Sequence, residues 1–258
     1  MPMSSRRASG GRHELGQNFL VDRRVVARIA ALVPPGPVLE LGAGDGALTR
    51  RLAMRAGVTA VELDPGRAAG LRRSLGRRVR VVQADMLRVR LDSPNVVSNV
   101  PFGITTPVLR HLLQQHGWTT AVLLLQWEVA RKRAAVGGTT LLTASWWPWY
   151  EFGLAGRVPA SAFRPRPSVD GGILVIRRRP VPLVPPEERA AYQRLVREMF
   201  RGDRLFPAAR RVLPTAHRWL TTQGLTKETR PKELSAHSWA SLYEALGSPG
   251  LERWGATR

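Results

Sequence analysis

Residues 37–53 read PVLELGAGDGALTRRLA, which is a short apolar run, a glycine-rich turn and a helix-forming segment. The same alternation continues in VTAVELD (58–64) and RAAGLRRSL (67–75). Two further apolar runs follow, VRVVQAD (79–85) and NVVSNVPF (95–102). Strands that alternate with helices of this length predict an α/β protein with a parallel, doubly wound, Rossmann-like sheet.

The apolar pattern continues beyond residue 102 and then changes at a proline-rich segment. Residues 119–127 (TTAVLLLQW), 139–152 and 170–179 have the composition of further buried strands. Residues 180–186 (PVPLVPP) hold four prolines in seven positions, which predicts a stiff, extended linker. The apolar period after the linker is helical.

These changes divide the chain into three expected parts. Residues 1–15 form a basic N-terminal arm, residues 16–179 form the α/β domain, and residues 180–258 form a small helical domain. The length allows this arrangement, because 258 residues can bury a core without outside help.

Composition limits both the chemistry and the partner. The chain has no Cys, which excludes disulfides, thiolate metal sites and cysteine nucleophiles. It has 40 Lys and Arg against 19 Asp and Glu, a net charge of +21 that is spread along the whole sequence. Such a protein attracts polyanions such as RNA, DNA or an anionic membrane surface. No run approaches the roughly 20 apolar residues of a membrane span, so we expect a soluble, cytoplasmic protein.

Polar residues follow three successive strands and predict an adenosine site. Gly42 and Gly44 lie in a strand-to-helix turn, where glycine lets the backbone approach a cofactor closely. The turn fits a nicotinamide dinucleotide as well as S-adenosylmethionine. Glu62 ends the next strand, where a carboxylate can accept hydrogen bonds from a ribose diol. Asp85 ends the third strand and can accept from an adenine amine, while Met86 packs on the ring.

The segment Asn99-Val100-Pro101-Phe102 distinguishes between these chemistries. An exocyclic adenine amine is a poor nucleophile because its lone pair is delocalised into the ring. The side-chain oxygen of Asn99 and the carbonyl of Val100 can accept its two N–H groups, and Phe102 can stack on a base taken out of a helix. Methyl transfer of this kind needs no metal, and we expect none.

Several motifs resemble those of the rRNA adenine-N6 methyltransferases, in the same order and spacing. They are QNFL (17–20), LELGAGDG (39–46), VELD (61–64), QAD (83–85) and NVPF (99–102), with a later match around FRPRPSV (163–169). The resemblance covers roughly residues 11–178 and implies the class I methyltransferase fold with S-adenosylmethionine as cofactor.

The resemblance also implies roles for individual residues. Asn18 and Leu20 would close over the cofactor, Gly42 and Gly44 would line its methionine side, and Asn99 would contact both cofactor and target amine. Phe163 resembles the family aromatic that packs against the flipped base, although a core position explains it nearly as well. This chain has Phe102 where the family more often has Tyr, which keeps the stacking face and loses a hydroxyl.

The family has a 23S branch, the erythromycin-resistance (Erm) enzymes, and a 16S branch of dimethyladenosine enzymes. The N-terminal GGRHELGQNFLVD (10–22), the aromatic run 146–150 and the short helical tail resemble Erm enzymes. We therefore expect a monomer that methylates N6 of one adenine in protein-free or precursor 23S rRNA, giving macrolide, lincosamide and streptogramin B resistance. A 16S rRNA dimethyltransferase and a non-catalytic RNA-binding relative are the alternatives. The aromatic run itself suits alternating residues of a buried strand better than an RNA-stacking surface.

Overall fold

The computed structural model describes the chain over residues 18–255. The predicted N-terminal arm, residues 1–15, lies outside this range. Nine strands and ten α-helices are described, and they follow the chain in this order: β1 (Phe19–Leu20), α1 (Arg23–Ala31), β2 (Val38–Leu41), α2 (Ala47–Leu52), β3 (Val58–Glu62), α3 (Pro65–Leu75), β4 (Val79–Gln83), β5 (Asn95–Asn99), α4 (Thr105–Gln114), β6 (Thr120–Gln126), α5 (Trp127–Arg133), α6 (Leu141–Trp146), β7 (Tyr150–Val158), β8 (Phe163–Arg164), β9 (Gly171–Arg178), α7 (Arg189–Met199), α8 (Leu205–Val212), α9 (Ala216–Thr222) and α10 (Ala236–Gly255).

Seven strands form one sheet in the order β4-β3-β2-β5-β6-β9-β7. The first five are parallel, which confirms the predicted doubly wound α/β arrangement. The last two strands of the sheet depart from this parallel arrangement, because β9 runs antiparallel to both β6 and β7. Only residues 159–170 connect β7 to β9, and a parallel return would need a crossover across the sheet. This connection lies at the carboxyl edge of the parallel strands.

The central strands are buried on both faces, which is why their sequences are almost continuously apolar. Alternate residues enter two separate cores. Val97 and Val122 pack on the side of α1, α2 and α3. Val96 and Leu123 pack on the side of α4 and the C-terminal helices. With both faces covered by helices, the carboxyl edge of the sheet is where polar residues can gather around a ligand.

Residues 139–152 were expected to form a strand, and this holds only from Tyr150, the first residue of β7. The Thr140 side chain accepts a hydrogen bond from the Thr143 backbone N–H at 3.3 Å, and this N-cap starts the helix α6. The aromatic run therefore ends a helix and turns into β7 at Tyr150. Its rings join the sheet to the C-terminal helices, since Trp149 lies edge-on to Tyr192 with ring centroids 5.4 Å apart. Core packing, rather than RNA stacking, accounts for it.

The C-terminal helices share a hydrophobic core with the sheet. Tyr192, Trp239 and Tyr243 belong to the same cluster as the strand residues Val96 and Leu123. Residues 180–186, expected to be an extended linker, are also anchored. The Leu183 N–H donates to the Pro148 carbonyl at 2.9 Å, and Val184 is buried. This segment packs on the sheet because its apolar side chains alternate with the prolines.

None of the helices described between residues 18 and 255 combines the length and apolar character that a membrane crossing requires. The same range contains no grouping of three or more His, Asp or Glu side chains placed to bind a metal ion.

Candidate active site

A cavity of about 1080 Å³ opens at the carboxyl edge of the sheet, where β2, β3, β4 and β5 end. Its wall contains most of the residues that the sequence singled out, brought together from five separate segments. They are Asn18, Leu20, Gly42, Gly44, Glu62, Asp85, Met86, Asn99, Val100 and Phe102. The volume is slightly above the usual range for small-molecule sites, about 300–1000 Å³. The cavity has room for a cofactor and a target base together.

The glycine turn after β2 has a conformation and surroundings that require glycine. Gly42 and Gly44 have positive φ angles of 71° and 54°. A Cβ atom added at Gly42 would lie 2.6 Å from the Met86 Cε atom, and one at Gly44 would lie 3.1 Å from the Phe19 ring. The turn therefore presents bare backbone to the cavity.

The Glu62 side chain, at the end of β3, holds the glycine turn against that strand. One carboxylate oxygen accepts from the Gly44 backbone N–H at 2.7 Å, and the other accepts from the Asp64 backbone N–H at 2.9 Å. Each oxygen has a second lone pair that can accept from a hydroxyl group. The neighbouring Asp64 has a different task, since its side chain accepts from the Arg67 N–H and caps α3.

Asp85 and Met86 form the wall after β4. The Asp85 Oδ1 atom accepts from the Leu87 backbone N–H at 2.9 Å, which holds the carboxylate in a tight turn. Its other oxygen lies 3.7 Å from the Arg88 Nε atom, a loose and exposed ion pair. Met86 reaches across to Gly42. The pair offers an acceptor and an apolar surface side by side, as an adenine ring requires.

Asn99 is held in one orientation at the end of β5. Its Nδ2 atom donates to the Asn18 carbonyl at 2.8 Å, so its Oδ1 atom is left as an acceptor. Val100 follows it and is fixed through its N–H, which donates to the Leu124 carbonyl on β6 at 3.0 Å. Asn99 therefore links the N-terminal strand segment to the sheet.

Phe102 begins a short 3₁₀ turn, Phe102–Ile104, that forms the far side of the cavity. Its ring meets the edge of Phe163 at a centroid distance of 6.4 Å and an interplanar angle of 69°. Phe163 is fully buried and does not line the cavity. The expectation that Phe163 contacts RNA needs correction, because in this position its ring supports Phe102 from within the core.

Sequence reasoning missed Glu40, a cavity residue within the apolar run of β2. It is 1% exposed, and its Oε2 atom has no hydrogen-bond partner among the described residues. Burial raises its pKa to about 8, the negative charge of Glu62 adds to the rise, and the neighbouring Thr49 opposes it. A charged residue inside VLEL was the signal that marked it.

Glu40→Gln is expected to stabilise the ligand-free protein at alkaline pH. The folded pKa lies above that of the unfolded chain, so the stability contributed by the neutral carboxyl is complete below pH 4.5. It is then lost as the pH rises toward 8, by at most about 1.4 kcal/mol per pH unit. Thermal unfolding should show the stability difference between the variant and the wild type widening from pH 5 to about 8 and then levelling off. Parallel curves would contradict this, and the exposed Glu128→Gln is the matched control.

The sequence is similar to known proteins along most of its length. A family model described as ribosomal RNA adenine dimethylase matches residues 8–247. The mycinamicin-resistance protein MyrB of Micromonospora griseorubida is 56% identical over 253 residues, covering 94% of this chain and 81% of that protein. An rRNA adenine N-6-methyltransferase of Corynebacterium diphtheriae is 50% identical over 196 residues, covering 74% of this chain and 78% of that protein.

A solved structure shows the same architecture. The crystal structure of the 23S rRNA methyltransferase ErmE has a TM-score of 0.82 and 34% sequence identity to this chain, covering 89% of this chain and 99% of that one. The similarity extends beyond the α/β sheet into the C-terminal helices.

Proposed function

The chain belongs to the ribosomal RNA adenine dimethylase family, and we propose that it methylates N6 of one adenine in 23S rRNA, using S-adenosylmethionine. The observation that carries the chemistry is the oriented Asn99 side chain beside Phe102 in a cavity with a glycine turn, Glu62 and Asp85. The similarity to MyrB and to ErmE supports 23S rRNA as the substrate and macrolide resistance as the outcome.

The cavity fits S-adenosylmethionine on its own geometry. Gly42 and Gly44 add no side chain to the cavity wall, so the cofactor can lie directly against the backbone of the turn. Glu62 would hold the ribose diol, and Asp85 with Met86 would hold the adenine. Asn18 and Leu20 would close the site from the N-terminal side, and the buried Glu40 carboxyl suits the ammonium group. When bound, the cofactor supplies an electrophilic methyl group for the target amine.

The remaining chemistry belongs to this chain's own residues. Asn99 Oδ1 and the Val100 carbonyl accept the two N–H groups of the target adenine, which directs the nitrogen lone pair out of the ring plane. Phe102 stacks on the base and holds it out of the RNA helix. The Asn18 carbonyl fixes Asn99 before the substrate arrives, so little reorganisation is needed during transfer.

Methylation at the drug site explains resistance in physical terms. A methylated adenine loses amine hydrogen-bond donors and gains bulk where a drug packs closely, and both changes weaken a closely fitting ligand. We propose that macrolides, lincosamides and streptogramin B compounds are excluded in this way.

We further propose that the protein acts as a monomer on protein-free 23S rRNA, with residues 180–258 as an rRNA-binding domain. The residues that the mechanism uses, Glu62, Asp85, Asn99 and Phe102, lie together in one cavity of a single chain, which supports a monomer. The high positive charge matches the phosphate backbone.

A comparison of protein-free 23S rRNA with assembled 50S subunits as substrates tests whether the protein acts on the free RNA. Labelled methyl groups from S-adenosylmethionine should enter the free RNA at least about tenfold faster than the subunit, since flipping a base requires access from both sides. Equal rates, or a faster reaction with the subunit, would contradict the proposal. The reaction without enzyme is the blank.

A further inference from the structure

The connection between β7 and β9 forms part of the wall of the active-site cavity. Pro167 and Ser168 line the cavity directly, and Phe163 supports Phe102 from beneath. The same connection pairs with the N-terminal segment, since Leu20 is in register with Phe163. The Val21 N–H also donates to the Ala162 carbonyl at 2.9 Å. The position of this connection therefore determines the shape of the site.

Asp170, the last residue of this connection, accepts three hydrogen bonds that hold the connection in place. Its Oδ2 atom accepts from the Arg157 Nε atom at 2.7 Å, and Arg157 lies in β7 just before the connection begins. Its Oδ1 atom accepts from the Ala160 backbone N–H at 2.8 Å. Its backbone carbonyl accepts from the Trp127 N–H at 2.8 Å, at the start of α5. One residue thus joins both ends of the connection to the neighbouring helix.

The electrostatic surroundings favour the charged form of Asp170. The hydrogen bond from Ala160 and the cations Arg157 and Arg166 hold its pKa below the ordinary value, against a smaller effect of burial. The Arg157 guanidinium also lies over the Trp127 ring, 5.3 Å from the centroid. The Arg157 and Asp170 side chains remain 61% and 27% exposed, and ion pairs with such exposure contribute little to global stability.

We propose that Asp170 is a positioning residue for methyl transfer. It holds residues 159–168 so that Phe163 supports Phe102, and Phe102 in turn places the target base against Asn99. Asp170 touches neither cofactor nor target, and its effect passes through this wall. The inference rests on the proposed function above.

Asp170→Ala is the test, with Asp170→Asn as the conservative variant. The alanine variant loses both side-chain contacts, and we expect kcat to fall at least about tenfold, because misplacement of a reacting group by about 1 Å can cost about a hundredfold. The dissociation constant for S-adenosylmethionine should stay within twofold of the wild type. The asparagine variant keeps an acceptor for the Ala160 N–H and should recover most of the rate.

Glu151→Ala is the matched control. Glu151 accepts from Arg179 at 2.8 Å, an arginine–carboxylate pair at the opposite end of the β7–β9 hairpin and away from the cavity. This variant should keep wild-type kcat. A second measurement uses RNA with 2-aminopurine at the target position, whose fluorescence changes when the base leaves the helical stack. Asp170→Ala should shift the bound-state signal, and Glu151→Ala should not.

Unchanged kcat and an unchanged 2-aminopurine signal for Asp170→Ala would overturn the positioning role. A parallel loss of kcat, cofactor affinity and melting temperature would also overturn it, because Asp170 would then only support the fold. Wild-type protein that labels no rRNA would overturn the proposed function itself, and the positioning role with it.

Discussion

We expect Asn99→Ala to abolish methyl transfer, with kcat reduced by at least about 10²–10³-fold. A loss of this size is typical when one preorganised polar group is removed at a reacting centre. The variant removes the Oδ1 acceptor for the target amine. It also removes the Nδ2 donor that meets the Asn18 carbonyl at 2.8 Å. Cofactor affinity should weaken only modestly, because Gly42, Gly44 and Glu62 are untouched. Single-turnover transfer and calorimetric titration of S-adenosylmethionine measure the two effects separately.

The comparison of these two losses decides what Asn99 does. A large fall in rate with a small fall in affinity assigns Asn99 to the target amine. Equal losses would mean that Asn99 mainly builds the cofactor site, and the mechanism proposed for the amine would be wrong.

Phe102→Ala severely impairs methylation, whereas Phe102→Tyr remains active. Base stacking on an aromatic side chain contributes about 1–3 kcal/mol, so the alanine variant should lose about 10- to 100-fold in kcat/KM for RNA. Tyrosine keeps the ring face and the edge contact with Phe163, and its rate should stay within threefold of the wild type. Steady-state kinetics at varied RNA and saturating cofactor provide the measurement.

An inactive Phe102→Tyr variant would contradict the stacking role, because the added hydroxyl leaves the ring face intact. Cofactor affinity is the control for both variants, and we expect it to be unchanged. An alanine variant with wild-type kinetics would equally exclude stacking on Phe102.

The parallel part of the fold follows from local sequence pattern. A glycine turn after an apolar run specifies a strand, a tight turn and a helix, and parallel strands place their carboxyl ends at one edge. That rule brings Gly42, Glu62, Asp85 and Asn99 together, although 57 positions separate Gly42 from Asn99 in the chain. Their catalytic and binding roles remain predictions.

Other parts of the fold depend on contacts that no local pattern encodes. Trp and Tyr are compatible with either a strand or a helix end, and the Thr140 N-cap is at the start of the helix that residues 141–146 form. The direction of β9 depends on the length of the connection before it. Residues 180–186 read as a linker because their anchoring partner, Pro148, lies far away in sequence.

The site likewise contains features that follow from local sequence pattern and features that depend on tertiary contacts. Phe163 has the residue type and the motif of a base-stacking group, but its burial beneath Phe102 depends on how β8 pairs with β1. The sequence shows Glu40 as a charged residue within an apolar strand, and the structure adds that its carboxyl lines the cavity with its pKa raised to about 8.

Mapping the methylated nucleotide tests whether this protein methylates an adenine of 23S rRNA. Protein-free 23S and 16S rRNA, with 50S and 30S subunits, are incubated side by side with labelled S-adenosylmethionine, and primer extension locates the modified position. We expect label in 23S rRNA and a single stop at an adenine of the macrolide-binding site. Label confined to 16S rRNA or 30S subunits would contradict it and assign the protein to the small-subunit branch of the family.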